Sequence, residues 1–255
     1  MRCGLRRCAE EVLRLRYAVI SDIHANLEAL EAVLARIDAL GVDRTVCLGD
    51  VVGYNASPNE CANIVRERGI PTIMGNHDAV ACLLEEPWGF NQVALAAALW
   101  TREQLSPENL EWLQGLPGQI QTEHFMAVHG APGDRDMYLF GWEDIIAHLP
   151  FLEESGCRLC LFGHTHTPGI YSADGVYTVD DDSKFSLVGD KAFFINPGSV
   201  GQPRDGDPRA AFGLLDTEKT EYEQIRVSYP VDQAYARVVE AGLPPFLAER
   251  LTLGR

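Results

Sequence analysis

Short apolar runs alternate with helix-patterned segments through the first part of this chain, and that alternation constrains its fold most. YAVIS at 17–21 is followed by a segment, 26–40, whose Leu27, Leu30, Val33, Leu34, Ile37 and Leu40 recur at helix spacing. Asn26 is placed to cap it and Gly41 to stop it. TVCL at 45–48, a helix near 59–68 and PTIM at 71–74 continue the series. Strand, helix, strand, helix, strand at this spacing predicts βαβ units and a largely parallel sheet.

Two helices are expected across 91–116, with Ser106-Pro107 as cap and first-turn proline between them. HFMAV at 124–128 reads as a strand, 143–154 as a helix and RLCLF at 158–162 as a strand. The texture then changes. GIYS, VYTV, AFFI, AAFGLLD and YEQIRVSY are short and separated by Gly, Pro and Asp, so they are expected to form antiparallel strands of a second sheet. A helix near 232–241 closes the chain. With no internal repeat or low-complexity linker, 17–255 reads as a single domain and 1–16 as a flexible tail.

Five of the runs end in polar clusters. These are Asp22-Ile23-His24, Gly49-Asp50, Gly75-Asn76-His77-Asp78, His129-Gly130 and Gly163-His164-Thr165-His166. Ligands of open α/β sheets bind beyond the carboxyl ends of the strands, so five clusters at five strand ends should converge. Taken singly, each has a plain explanation as a capping turn or tight turn. Together they supply Asp, Asn and His donors suited to first-row divalent ions, with no thiolate among them. Their repeated glycines allow sharp turns and close backbone approach. His124 and His148 fall outside the pattern.

Composition narrows the classes further. The formal net charge of −16 argues against broad binding to nucleic acid or anionic membrane, but not against phosphate at a metal site. Asp180, Asp181 and Asp182 read as solvated surface. No apolar run reaches the roughly 18–20 residues that span a bilayer. Seven scattered cysteines, an odd number, point to a reducing, cytoplasmic setting rather than a disulfide framework. The Cys157/Cys160 pair sits in an apolar run and reads as core.

The ordered series D-x-H, G-D, G-N-H-D, H-G and G-H-x-H resembles the motif set of the calcineurin-like metallophosphoesterases, and the resemblance runs from residue 17 to about 228. GDVVGYNASPNEC, WTREQLSPENLEWLQGLP and NPGSVGQPRDGDPRAAFGLLD are similar to a bacterial and archaeal branch of phosphodiesterase and diadenosine-tetraphosphatase-like enzymes. The resemblance implies an α/β fold, a four-layer α-β-β-α sandwich of two facing mixed sheets flanked by helices. It implies two divalent metal ions, Mn foremost, with Fe, Zn, Ni or Co as alternatives. Asp22, His24 and His166 would hold one ion, Asn76, His129 and His164 the other, and Asp50 would bridge them. Hydroxide formed between the ions would attack phosphorus directly. His77 would face the substrate, with Asp78 orienting it and favouring its charged form.

Two further sites are weighed from the residues. The loop from Asn196 to Gly201 reads as a tight turn that also approaches the metals, with Asn196 and Ser199 near substrate phosphate. Arg204 is a candidate for bidentate phosphate contact, with a surface salt bridge as the alternative. The expected substrate is a small phosphodiester or nucleotide-type phosphate. The rivals are a serine/threonine protein phosphatase and a non-catalytic metal-binding scaffold, and a homo-oligomer is compatible with either. The scaffold is disfavoured because every motif position is filled.

Overall fold

The structure is a computed structural model that describes residues 15–177 and 181–255. Most of the expected tail, the end of VYTV and Asp180 lie outside the described residues.

The first half runs β1 (Arg16–Ile20), α1 (Leu27–Leu40), β2 (Arg44–Cys47), α2 (Pro58–Glu67), α3 (Asn76–Ala81), α4 (Gln92–Gln104) and α5 (Pro107–Gln114). It continues through β3 (Gln119–Gln121), β4 (Met126–Val128), α6 (Trp142–Ser155) and β5 (Leu159–Leu161). The rest comprises β6 (Gly169–Ser172), β7 (Gly175–Tyr177), β8 (Lys184–Ser186), β9 (Phe193–Asn196), β10 (Ala210–Asp216), β11 (Glu221–Val227), α7 (Val231–Glu240) and α8 (Pro245–Leu253). The caps form for the expected reasons. Asn26 Oδ1 accepts the Ala29 N–H at 3.1 Å, and Gly41 closes α1 in the left-handed region at φ 60°.

Two mixed sheets result, one ordered β2-β1-β10-β11-β8 and the other β3-β4-β5-β9-β6-β7. In the first, β1 is parallel to β2 and antiparallel to β10. In the second, β4, β5 and β9 are parallel, while β3 and β6 join antiparallel. Alternation along the strands builds three apolar layers. Tyr17 and Val19 face Ala127, Leu161 and Ile195 between the sheets. Ala18 and Ile20 face the helices outside the first sheet, with Leu30, Val33 and Phe212. Phe162 and Phe194 pack with Ile145 and Leu152 of α6 outside the second. The four-layer α-β-β-α arrangement follows, and truncating Phe194 to Ala would cost roughly 3–5 kcal/mol.

The late strands do not form a sheet of their own, contrary to the sequence expectation. AAFGLLD (β10) and the following strand β11 complete the first sheet, with Arg16 paired to Asp216. AFFI (β9) lies parallel to β5 in the second. Strands β9 and β10 are buried on both faces, so they carry no pattern that says which sheet they join. PTIM contributes only a single bridge, Thr72 to Cys47. The first strand starts at Arg16, one residue inside the expected tail. Helices α3 and α8 and strands β3 and β8 were not anticipated. Among the described residues no helix is long and apolar enough to cross a membrane.

Candidate metal centre

The clusters meet where the two sheets come together. Asp22 and His24 follow β1, Asp50 follows β2, His129 follows β4, and His164 and His166 follow β5. Asn76 opens α3. Past the strand ends the loops keep bonding one another. The His24 N–H donates to the Asp50 carbonyl at 2.9 Å, and the Gly163 N–H to the His129 carbonyl at 2.8 Å. Five of these residues adopt left-handed backbone: Asp22 (φ 53°), His24 (48°), Asp50 (52°), His164 (66°) and His166 (60°). Such conformations cost free energy outside glycine and persist only where surroundings enforce them, which is common at functional sites. One glycine is indispensable here. A Cβ on Gly75 would overlap the Asp50 carboxylate and backbone.

The donors form two groups that share Asp50. One holds Asp22, His24, Asp50 and His166, the other Asp50, His129 and His164, with the donor atoms of each within 4.8 Å of one another. Asp50 Oδ2 lies 3.4 Å from His24 Nε2 and 3.3 Å from His129 Nε2, and it has no hydrogen-bond partner. Its Oδ1 accepts the His77 backbone N–H at 2.9 Å. Asn76 Oδ1 stands 3.2 Å from His129 Nε2. His166 Nε2 lies 3.3 Å from Asp22 Oδ1 and 3.1 Å from His24 Nε2.

Backbone carbonyls fix how the imidazoles face. His24 Nδ1 donates to the Val52 carbonyl at 3.1 Å, His129 Nδ1 to Leu48 at 2.7 Å and His166 Nδ1 to Gln202 at 2.6 Å. Each then turns Nε2 inward. His164 does the reverse, donating Nε2–H to the Asp136 carbonyl at 3.1 Å and leaving Nδ1 for the cluster. This is how metal-ligating histidines are oriented by the groups behind them. Two bare nitrogens at 3.1 Å repel, and a cation on the order of 2.1 Å from each would relieve them.

Charge supports the same reading. Burial pushes Asp22 up to about 6, with the neighbouring Asp50 charge adding to it. Burial lowers His24, His166 and His164, the last to about 3, so these rings are neutral at pH 7 with a lone pair free for a cation. At Asp50 burial acts upward but is outweighed by His129 and His77, holding the carboxyl well below its usual range. His129 is the counterpart: burial acts downward, Asp50 outweighs it, and the ring rises to about 9. Among the described residues neither Asp22 nor Asp50 has a Lys or Arg ion pair. Two adjoining buried carboxylates faced by inward-turned nitrogens fit divalent cations, which need deprotonated ligands.

His77 differs from the ligand histidines. Its ring belongs to neither donor group, and its buried Nδ1 has no partner. It packs against Tyr54 at 4.3 Å and Phe90 at 4.6 Å between ring centroids. The expected Asp78–imidazole pair does not form. Asp78 instead accepts backbone N–H groups of Val52 and Gly75, both at 3.1 Å, tying the Asp50 loop to the start of α3. Nor is the charged imidazolium favoured: burial lowers His77 to about 4 despite the pull of Asp50.

The Asn196 loop is also corrected. Asn196 is fully buried and its amide is used up, donating to the Gly163 carbonyl and Thr165 Oγ1 and accepting from the Gly198 N–H. Ser199 Oγ donates to the Asp22 carbonyl and accepts the Gln202 N–H. These two side chains brace the Asp22 and His164 loops from behind and leave nothing for substrate. Arg204 is placed differently. Its Nη2 reaches Gln202 Oε1 at 3.0 Å and the Tyr54 hydroxyl at 3.3 Å, while its buried Nε has no partner. Among the described residues its side-chain hydrogen bonds go to Gln202 and Tyr54 and not to a carboxylate, unlike the surface salt bridge held as the alternative.

A cavity of about 590 Å³ opens beside Asn76, His77 and His164. Sequence reasoning missed its other walls, among them Tyr54, Trp88, Phe90 and Tyr138. Tyr54 was findable, four residues beyond Asp50 in the same loop. Phe90 and Tyr138 carry no local signal, because chain folding alone brings them there.

The model of the calcineurin-like phosphoesterase superfamily domain matches residues 15–220. The chain is 38% identical to uncharacterized protein MJ0912 of Methanocaldococcus jannaschii, over 93% of this chain and 98% of that one. It is 28% identical to phosphodiesterase YfcE of Escherichia coli, over 81% and 89%. A metallophosphoesterase structure from Sphaerobacter thermophilus superposes with a TM-score of 0.84 at 36% identity, covering 95% of this chain and all of that one. With its motif residues gathered into one buried cluster, this chain belongs to the calcineurin-like phosphoesterase superfamily.

Proposed function

We propose that the chain hydrolyses phosphodiesters or nucleotide-type phosphate compounds at a centre of two divalent ions, Mn foremost. The observation that carries this is the sharing of Asp50: its free Oδ2 stands between two groups of inward-turned nitrogens. Asp22, His24 and His166 would hold one ion, and Asn76, His129 and His164 the other. When bound, such a pair supplies Lewis acidity and makes water a nucleophile near neutral pH. The name of the E. coli relative, a phosphodiesterase, favours diesters.

The chain's own residues do the rest. Backbone carbonyls of Leu48, Val52 and Gln202 hold three rings in the ligating tautomer. His77, neutral and at the cavity edge, offers a ring N–H to a phosphoryl or leaving oxygen. Asp78 is a positioning residue that keeps the Gly75 turn closed. Arg204, with an unpartnered Nε, is the guanidinium available to a phosphate oxygen.

The test is direct. Protein stripped of metal and given Mn²⁺ should hydrolyse bis-p-nitrophenyl phosphate. Absence of turnover with every divalent metal tried would sink the enzymatic reading.

A further inference from the structure

The cavity beside the metal centre has two unlike sides. Toward the sheets it is polar, with Asn76, His77 and His164. Outward, it is aromatic. Tyr54 and Phe90 lean on His77, and Trp88 lies beyond them with its residue 88% exposed. Across the cavity Tyr138 covers His164 at 3.8 Å, backed by Phe140 stacked on it at 4.9 Å and 5°. Single exposed aromatics are unremarkable on a surface. Here Trp88 shares one cavity with the metal donors, and among the described residues no aromatic ring packs on its face.

Charge selects among possible occupants. The outer rim carries Glu85, Glu86 and Asp136. Arg135, close by, is taken up by ion pairs with Glu85 and Asp136. A chain of further phosphates or an acidic peptide would meet repulsion there, whereas a flat uncharged ring would not. About 590 Å³ lies within the roughly 300–1,000 Å³ typical of small-molecule sites. That holds one nucleotide-sized group.

Building on the phosphoesterase reading, we propose that Trp88 and Phe90 form a stacking subsite for a flat, uncharged heteroaromatic group, a nucleobase, with Tyr138 as the opposite wall. The group is carried by a substrate whose phosphate sits at the metal centre. Stacking on aromatic side chains is tolerant of base identity, because every base has a π-face. Preference is therefore expected for nucleotides over sugar phosphates, with little choice among bases.

The experiment is calorimetric binding of AMP and of ribose 5-phosphate to the Mn²⁺-loaded full chain. AMP should bind at least about tenfold more tightly. In Trp88→Ala, and separately in Phe90→Leu, that ratio should fall toward one. Trp88 is surface-exposed, so its replacement leaves the core intact, and a thermal melt checks this. Equal binding of the two ligands, no binding of either, or an unchanged ratio in both variants would overturn the subsite. Turnover of bis-p-nitrophenyl phosphate by the same preparation tests the catalytic reading separately, and calorimetry decides the stacking question whichever way that falls.

Discussion

The metal cluster and the cavity wall beside it are built on opposite principles. In the cluster almost every side chain is buried, and each of the four imidazoles is held twice, by the nitrogen it presents inward and by the nitrogen that donates to a backbone carbonyl behind it. The wall is held mainly by ring contacts, and Trp88 projects into solvent. The difference teaches what each region tolerates. Displacing one cluster atom disturbs several hydrogen bonds, whereas a wall ring can be exchanged with local effect. Fixed geometry suits chemistry at phosphorus, and an adjustable wall suits selection among organic groups.

The largest effect should come from Asp50→Asn. It weakens the one carboxylate that both donor groups share, so metal content should fall at both positions and turnover disappear, as read by metal analysis and activity. Loss of only one equivalent of metal would break the picture of a shared ligand. His77→Ala should come next. A drop in kcat of about 10²–10³-fold is expected, with metal content intact. Loss of metal in that variant would move His77 into the cluster.

Asn196→Ala tests the boundary between the two regions from behind. Removing an amide that satisfies three buried groups should cost about 3 kcal/mol of stability, seen as a lower Tm. KM should stay unchanged well below that Tm. A raised KM with unchanged stability would restore the loop to substrate contact. Arg204→Lys should do the least. The fork geometry is lost while the charge remains, so KM should rise by a few-fold, roughly 1 kcal/mol. An unchanged KM would remove Arg204 from the substrate side.

Much of the cluster was legible because its residues fall in short contiguous motifs, all but Asn76 at strand ends, where an α/β sheet must put its ligands. Asp22, His24, Asp50, Asn76, His129, His164 and His166 are all there. The helix caps were legible for a similar reason, since Asn26 bonds only three residues away. Roles that depend on distant partners were not legible. Asp78 sits beside His77 in sequence but spends its oxygens on Val52 and Gly75. Asn196 looks like a polar loop residue, yet it is the buried brace of a loop 33 residues earlier. The late strands could not be assigned to a sheet because their burial is two-sided and their partners, β1 and β5, are far back in the chain.

The sequence by itself determined the donor set, its order, and the βαβ frame whose strand ends carry it. These are local properties: apolar period, cap and turn chemistry, and residue type at a strand's end. Only the tertiary structure decided which ring nitrogen each histidine turns inward, where Asp78 and Asn196 spend their hydrogen bonds, and which aromatics wall the cavity. Those depend on atoms brought within about 3–5 Å by sheet pairing and loop closure across many residues, and no short-range pattern records such distances.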